Sequence, residues 1–333
     1  MHTSPPDLRP CRGGSGRPFD ASRAADVPHG YIEEEHLLSG TATAYRDDPA
    51  EPGQVGVRAH APYVTRILTR TPEPRERFNG TVVVEWFNVS GFMDAGVEWL
   101  YTHTELMRGG YAWVGVSAQC AGVTGSELPP DGAAPGGLKA WDPDRYGTLH
   151  HPGDDYSYDI FSQAGHAIAE LFPGARLIAA GLSLAAYQLT TYINKIDPIA
   201  RAYHGYLVHS RIGPASLLEL PDPPQMDPRP VPFRDDLGNA LGGIRTPWMD
   251  APTAVLTGIS PNDGLIERLF GQTIPFTDAT LARLYPGGAD DYLAAFGTAT
   301  DAAVAKGFLL EADTNEIKAL ATAAYQAAHG RIP

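Results

Sequence analysis

The sequence predicts an α/β fold built on a doubly wound, mostly parallel sheet. Three observations carry that reading. Short β-branched runs such as GTVVVEW (Gly80–Trp86) and YAWVGVS (Tyr111–Ser117) have the uninterrupted apolar character of strands buried on both faces. Segments with helical spacing alternate with them, as parallel β-α units require. The composition is that of a globular chain with a sizeable core, 43% apolar and 19% charged over 333 residues.

Taken in order, Tyr31–Leu38, Gly40–Tyr45 and Tyr63–Thr69 read as strands, interrupted by the turn-forming cluster Asp47–Gly53. Gly80–Trp86 is the first buried strand. Glu98–Arg108 has helical spacing and meets a stop at Gly109-Gly110. Tyr111–Ser117 is the second buried strand, and a Gly-, Pro- and Asp-rich loop follows from Ala121 to about Asp155. Ser157–Leu171 is a helix, Ala175–Ala180 (ARLIAA) a third buried strand, Leu184–Ile196 a helix ending before Pro198, and Ala202–His209 a fourth buried strand. Beyond these lie one strand, Thr253–Gly258, and helical patterns over Ala279–Leu284, Asp290–Lys306 and Asp313–His329.

These elements organise the chain as a flexible, Pro- and Gly-rich arm over 1–29 and a single domain over 30–333. Within that domain, 213–250 is a Pro/Gly-rich bridge and 251–333 is mainly helical. The net charge of −14 with only 25 basic residues argues against nucleic acid or an anionic membrane as partner. No apolar run is long enough to span a bilayer, and the N-terminal stretch lacks a hydrophobic signal core, so a cytoplasmic location is expected. Cys11 and Cys120 are too few for a disulfide framework or a cysteine-rich zinc site.

The segment that carries chemistry is Ala180-Gly181-Leu182-Ser183-Leu184-Ala185, placed between the run ARLIAA and the helix that starts at Leu184. A serine on a sharp strand-to-helix turn is presented above the sheet edge as a nucleophile, and the turn needs small residues on both flanks. Gly181 and Ala185 supply them. The backbone N–H of Leu184, at the helix N-terminus, is then one donor for an oxyanion. A second donor is expected from the loop after an earlier strand, which places it at Val89 and Ser90 in the stretch Glu85–Gly91. The competing readings are a serine that merely caps the helix and a polar loop that merely precedes one.

A base and an orienting carboxylate are harder to place. After Ser183 the histidines are His204, His209 and His329. The first two fall in a predicted buried strand, and Asp263 with His329 fits the usual order of serine, acid and base by chain order alone. The base and the acid are therefore left unassigned. Four other clusters have simpler meanings. His150-His151-Pro152-Gly153-Asp154-Asp155, with Asp159 nearby, reads as a turn fixed by aspartate hydrogen bonds before it reads as a metal site. Glu33-Glu34-Glu35-His36 reads as a solvated strand face, Gly13-Gly14-Ser15-Gly16 as a flexible stretch, and Cys120 as a small core residue. No metal or cofactor is expected.

Several longer strings resemble the bacterial "alpha/beta hydrolase domain" proteins of the α/β-hydrolase superfamily. They include GYIEEEHLLSGTATAY, RFNGTVVVEWFNVSG, LKAWDPDRYGTLHHPGDDYSYDIFSQAG, GYLVHSR and GNALGGIRTPWMDAPTAVLTG, and the likeness runs from about Gly30 onward. It implies an α/β-hydrolase-like sheet with Ser183 as nucleophile. Two departures matter. The family's elbow typically reads Gly-Glu-Ser-Gln-Ser-Ala, whereas Leu182, Leu184 and Ala185 stand here, which implies a drier, more apolar pocket. Relatives also carry a long stretch with a Glu-Thr-Asp acid motif and a Gly-Thr-Ala-His-Ala base motif. Here only the Pro-rich bridge separates His209-Ser210-Arg211 from Gly242-Gly243-Ile244-Arg245, which implies a shortened C-terminal part of the sheet without those motifs.

Two functions are compatible with these features. One is a serine hydrolase of carboxylic esters or related acyl substrates. The other is an impaired or inactive hydrolase fold that binds an apolar small molecule. Either could be a homo-oligomer, since a sheet that has lost strands exposes an edge.

Overall fold

The computed structural model describes residues 5–14, 16–20, 29–47, 55–125, 136–211, 234–241, 245–258 and 271–329, with the backbone alone at 327–329. The chain divides into two compact units, Met1–Pro224 and Gln225–Pro333, so the division falls inside the Pro-rich bridge.

The first unit is built on a seven-stranded sheet. Its strands are β1 (Asp7–Pro10), β2 (Tyr31–Asp47), β3 (Val55–Pro72), β4 (Thr81–Trp86), β5 (Ala112–Val116), β6 (Arg176–Leu182) and β7 (Gly205–His209), in the order β1-β2-β3-β5-β4-β6-β7. The pairs β1/β2, β2/β3 and β3/β5 are antiparallel, while β5/β4, β4/β6 and β6/β7 are parallel. Five of the seven strands (β2, β4, β5, β6 and β7) therefore run in one direction, as the buried β-branched runs led us to expect.

Three helices, α1 (Val97–Arg108), α2 (Ser157–Leu171) and α3 (Leu184–Thr191), cover the sheet. Its two faces bury separate cores. Val82, Val84, Val114, Leu177 and Ala179 point to one face and pack with Phe161 and Ile168 of α2 and Leu189 of α3. Leu68, Phe87 and Trp113 pack with Trp99 and Leu106 of α1 on the other. Crossovers on both faces make the sheet doubly wound.

Four features differ from the local sequence signals. The pieces Tyr31–Leu38 and Gly40–Tyr45 form one strand, β2, and at Gly40 an added Cβ would lie 2.7 Å from Gln163 Oε1 and 3.2 Å from the Tyr63 ring. Asp7–Pro10, in the stretch read as an arm, pairs with the edge of β2 in register Asp7↔Ser39 to Pro10↔His36. Pro198 does not follow the end of the helical region; it sits in the first turn of the short helix Asp197–Ala200, where its missing N–H costs nothing. The acidic run is solvated only at Glu34. Alternation puts Glu33 and Glu35 on the face of β3 that carries Arg70 and Arg66. Glu33 Oε2 accepts from Arg70 Nε at 2.8 Å, and Glu35 Oε1 accepts from Arg66 Nη1 at 3.1 Å. Arg66 also donates to Asp94 Oδ2 at 2.8 Å, and the side chains of Arg66, Glu35 and Asp94 are all buried.

The second unit holds a two-stranded antiparallel ladder, β8 (Ala254–Thr257) with β9 (Gln272–Pro275), and the helices α4 (Asp278–Leu284), α5 (Ala289–Ala305) and α6 (Thr314–His329). Its core is aromatic: Tyr292 stacks on Tyr325 with ring centroids 4.8 Å apart, beside Phe296, Tyr285 and Leu281. Thr277 caps α4 by accepting from Thr280 N at 3.2 Å. Among the described residues no helix is long and apolar enough to cross a membrane.

Candidate active site

The strand β6 ends at Leu182 and α3 begins at Leu184, so the whole change of direction falls on Ser183, at φ 58° and ψ −113°. A non-glycine residue at positive φ is strained, and the surroundings must enforce it. Here the enforcement is visible. A Cβ on Gly181 would come within 3.0 Å of the Ala185 carbonyl carbon and 3.2 Å of Ala186 N, so any side chain there would have to push the helix start away from the strand end. Ala185 is fully buried. Ser183 N–H donates to the His209 carbonyl of the neighbouring strand at 3.0 Å, and the Ser183 carbonyl accepts from Tyr187 N at 3.0 Å. The hydroxyl does not cap α3, which removes the helix-capping alternative.

The loop after β4 is tied directly to this turn. Asn88 Nδ2 donates to the Leu182 carbonyl at 2.8 Å, while Asn88 Oδ1 accepts from Ser90 N at 2.9 Å. The Asn88 backbone pairs with Ala95 in both directions, at 3.1 and 3.0 Å. Ser90 N–H is thereby committed within its own loop. Among the described residues nothing accepts the N–H of Val89 or of Leu184. Of the two loop positions singled out from sequence, Val89 is the one whose N–H is left for a ligand.

The histidines separate clearly. His204 lies ahead of β7, and its Nδ1 accepts from Leu177 N at 3.1 Å. His209 ends β7 in register with Leu182, and its Nδ1 lies 3.2 Å from Glu98 Oε1 and 3.4 Å from Oε2. The fourth strand is not buried as its sequence suggested. Among the described residues it is an edge strand of the sheet, with Leu207 44% and Val208 39% exposed. Asp263 lies outside the described residues. His329 ends α6 in the second unit, and its side chain is outside them too.

Glu98 belongs to the first turn of α1, and a second carboxylate holds that turn. Glu85, buried on β4, accepts from Glu98 N at 2.8 Å and, on its other oxygen, from Trp99 N at 3.0 Å and Trp113 Nε1 at 2.9 Å. Burial pushes the Glu85 carboxyl up to about 8 although those donors pull it down. Burial raises Glu98 as well, and the nearby His209 imidazole pulls it back.

The cluster around His151 is structural. His151 Nε2 lies 2.9 Å from the Ala118 carbonyl and its Nδ1 accepts from Gly153 N at 3.2 Å. Asp154 accepts from Cys120 N at 2.7 Å and Gln119 Nε2 at 3.1 Å. Among the described residues no three His, Cys, Asp or Glu side chains gather as metal ligands.

A doubly wound sheet with a strained serine between strand and helix defines the α/β-hydrolase class of fold. The chain belongs to the family described as "Alpha/beta hydrolase domain", whose model matches residues 7–232 and 219–319. No curated relative matches the sequence. Similar solved structures include an α/β serine hydrolase without a lid from Xanthomonas campestris, at 13% identity over 44% of this chain and 52% of that one, with a TM-score of 0.23. The peroxisomal α/β-hydrolase Lpx1 of Saccharomyces cerevisiae is 15% identical over 63% of this chain and 51% of its own, TM-score 0.33. An acetyl xylan esterase from Paenibacillus sp. R4 is 16% identical over 49% of this chain and 45% of its own, TM-score 0.23. The chain thus spans about half the length of the solved structures it matches.

Proposed function

We propose that the protein is a serine hydrolase that cleaves carboxylic esters or related acyl substrates, with Ser183 as the nucleophile. The observation that carries this reading is the enforced φ of 58° at Ser183 between β6 and α3. Strain of this kind clusters at active sites and ligand clamps, and here it falls on a serine at the strand-to-helix turn. Ser183 Oγ adds to the substrate carbonyl carbon, and the N–H groups of Leu184 and Val89 receive the negative charge that develops on its oxygen. Collapse of the adduct expels the alcohol and leaves an acyl-serine, which water then hydrolyses to the acid. Half-buried Leu182 and Leu184 flank the nucleophile, so an apolar acyl group is the expected substrate portion.

The test is labelling with a fluorophosphonate probe, read by intact mass and peptide mapping beside Ser183→Ala. A single adduct on the Ser183 peptide, lost in the variant, is the expected result. A folded, monodisperse sample that takes no adduct would overturn the reading and leave a hydrolase fold that binds an apolar small molecule.

A further inference from the structure

We propose that His209, oriented by Glu98, is the general base that serves Ser183. The proposal rests on the reading of Ser183 as nucleophile and supplies the proton acceptor which that chemistry needs.

The geometry has three parts. First, His209 is the immediate lateral neighbour of the elbow. It pairs in register with Leu182, and its carbonyl holds Ser183 N–H at 3.0 Å. Second, the imidazole is oriented. Nδ1 faces both Glu98 oxygens, at 3.2 and 3.4 Å, and the Tyr101 ring meets the imidazole in a T-shaped contact with centroids 6.1 Å apart. A carboxylate on Nδ1 selects the tautomer whose Nε2 is a proton acceptor, which is the arrangement a serine base needs. Third, the two partners differ in exposure in the useful sense. The Glu98 side chain is 2% exposed and its helix start is pinned by Glu85, whereas the His209 side chain is 44% exposed and so open to substrate. Among the described residues nothing bonds Nε2. No hydrogen bond joins Nε2 to Ser183 Oγ in this structure, as is common before substrate draws such a pair together.

The proton balance is complete. As Ser183 Oγ bonds to the carbonyl carbon, its proton passes to His209 Nε2. As the adduct collapses, His209 gives that proton to the departing alkoxide, which leaves as the alcohol. Water then attacks the acyl-serine and loses a proton to His209. The second collapse returns this proton to Ser183 Oγ and releases the carboxylic acid. Glu98 takes no proton; it is a positioning residue.

The experiment measures the fluorophosphonate labelling rate and hydrolysis of a p-nitrophenyl ester in the full chain and five variants: His209→Ala, Glu98→Gln, Glu98→Asp, His204→Gln and His329→Ala. Thermal melting of each variant checks that it folds. His209→Ala is expected to lose on the order of 10²-fold or more in both rates, with added imidazole restoring part of the loss. Glu98→Gln should lose at least about tenfold in kcat with KM little changed, and Glu98→Asp should recover part of it. His204→Gln should stay within about twofold, because its ring only accepts a backbone N–H. Labelling of Ser183 at an undiminished rate in a folded His209→Ala protein overturns the assignment while leaving Ser183 as nucleophile. So does a collapse of activity in His329→Ala with His209→Ala unaffected. Absence of labelling in the unaltered chain overturns both readings together.

Discussion

The side chain of Asn88 donates from Nδ2 to the carbonyl of Leu182 at 2.8 Å, joining the loop after β4 to the residue that precedes the strained serine. The same side chain holds Ser90 N–H through Oδ1, so one amide fixes the loop's shape and its distance from the elbow at once. Val89, between the two bonds, is thereby presented with its N–H uncommitted. The loop's place in the site depends on a residue that need not touch a substrate.

Replacing Asn88 by Ala should therefore slow the reaction of Ser183 more than it destabilises the fold. Two hydrogen bonds of ordinary strength are lost, about 1–2 kcal/mol in all, while a displaced oxyanion donor costs on the order of 10²-fold in kcat. Parallel measurement of urea unfolding and fluorophosphonate labelling checks the split. A labelling rate that falls only in proportion to the unfolded fraction would place Asn88 in a structural role.

A side chain at Gly181 should be costly. The contacts an added Cβ would make, 3.0 Å to the Ala185 carbonyl carbon and 3.1 Å to its oxygen, are with backbone that cannot turn aside. Gly181→Ala is expected to cost about 1–3 kcal/mol, as overpacking does, and Gly181→Val more. Denaturant titration measures the cost, and the Ala variant should also label more slowly because the turn that carries Ser183 must shift.

Much of this architecture was legible in the sequence, and the parts that were not share a cause. GTVVVEW, YAWVGVS and ARLIAA announce buried strands by local pattern, and Gly181-Leu182-Ser183 announces the elbow by its place between strand and helix. The Glu98–His209 pair has no local signal: the residues stand 111 apart, and only the packing of α1 against the end of β7 brings them together. Glu33 and Glu35 look like solvent-facing charges until the β2/β3 register sets Arg70 opposite Glu33 and places Arg66 one step from Glu35. That Gly40 must be glycine is equally silent locally, because the close approach of Gln163 comes from a helix far along the chain.

Arg66 is the residue whose loss the first unit should tolerate least. It donates to Glu35 and Asp94 and to the Phe19 carbonyl at 2.5 Å, and its guanidinium lies 5.0 Å from the centre of the Phe87 ring. Arg66→Ala would leave the buried Asp94 carboxylate with the Ser117 hydroxyl but no cation beside it, and would leave Glu35 to Tyr146 and the half-buried Arg145. Breaking a buried pair from one side costs about 3–5 kcal/mol. We expect the variant to lose most of its stability, and Arg66→Met with Asp94→Asn to recover part of it. Calorimetry on the unaltered protein, Arg66→Ala, the double variant and its two single variants checks this, and additive losses in the double variant would show that the charges act independently.

The pH dependence of stability should bear the mark of Glu85. Its carboxyl is raised to about 8 in the folded chain, first by burial, from the ordinary 4.5. Between those values the native state holds a proton that the unfolded chain has released, so stability falls as pH rises. His36 and His151 act in the opposite sense. Burial lowers both from 6.5, so they add stability as pH climbs toward 6.5 and nothing above it. Over roughly pH 6.5 to 8 the Glu85 slope should therefore emerge, approaching about 1.4 kcal/mol per pH unit. Urea titrations at half-unit pH steps should show the decline in the unaltered protein and a flatter line in Glu85→Gln. That variant should be less stable near pH 6.5, because its amide has one acceptor oxygen and cannot serve Glu98 N as well as Trp99 N and Trp113 Nε1, and the gap should narrow toward pH 8. Equal slopes in the two proteins would mean that Glu85 is ionised throughout, held by its three N–H donors against the cost of burial.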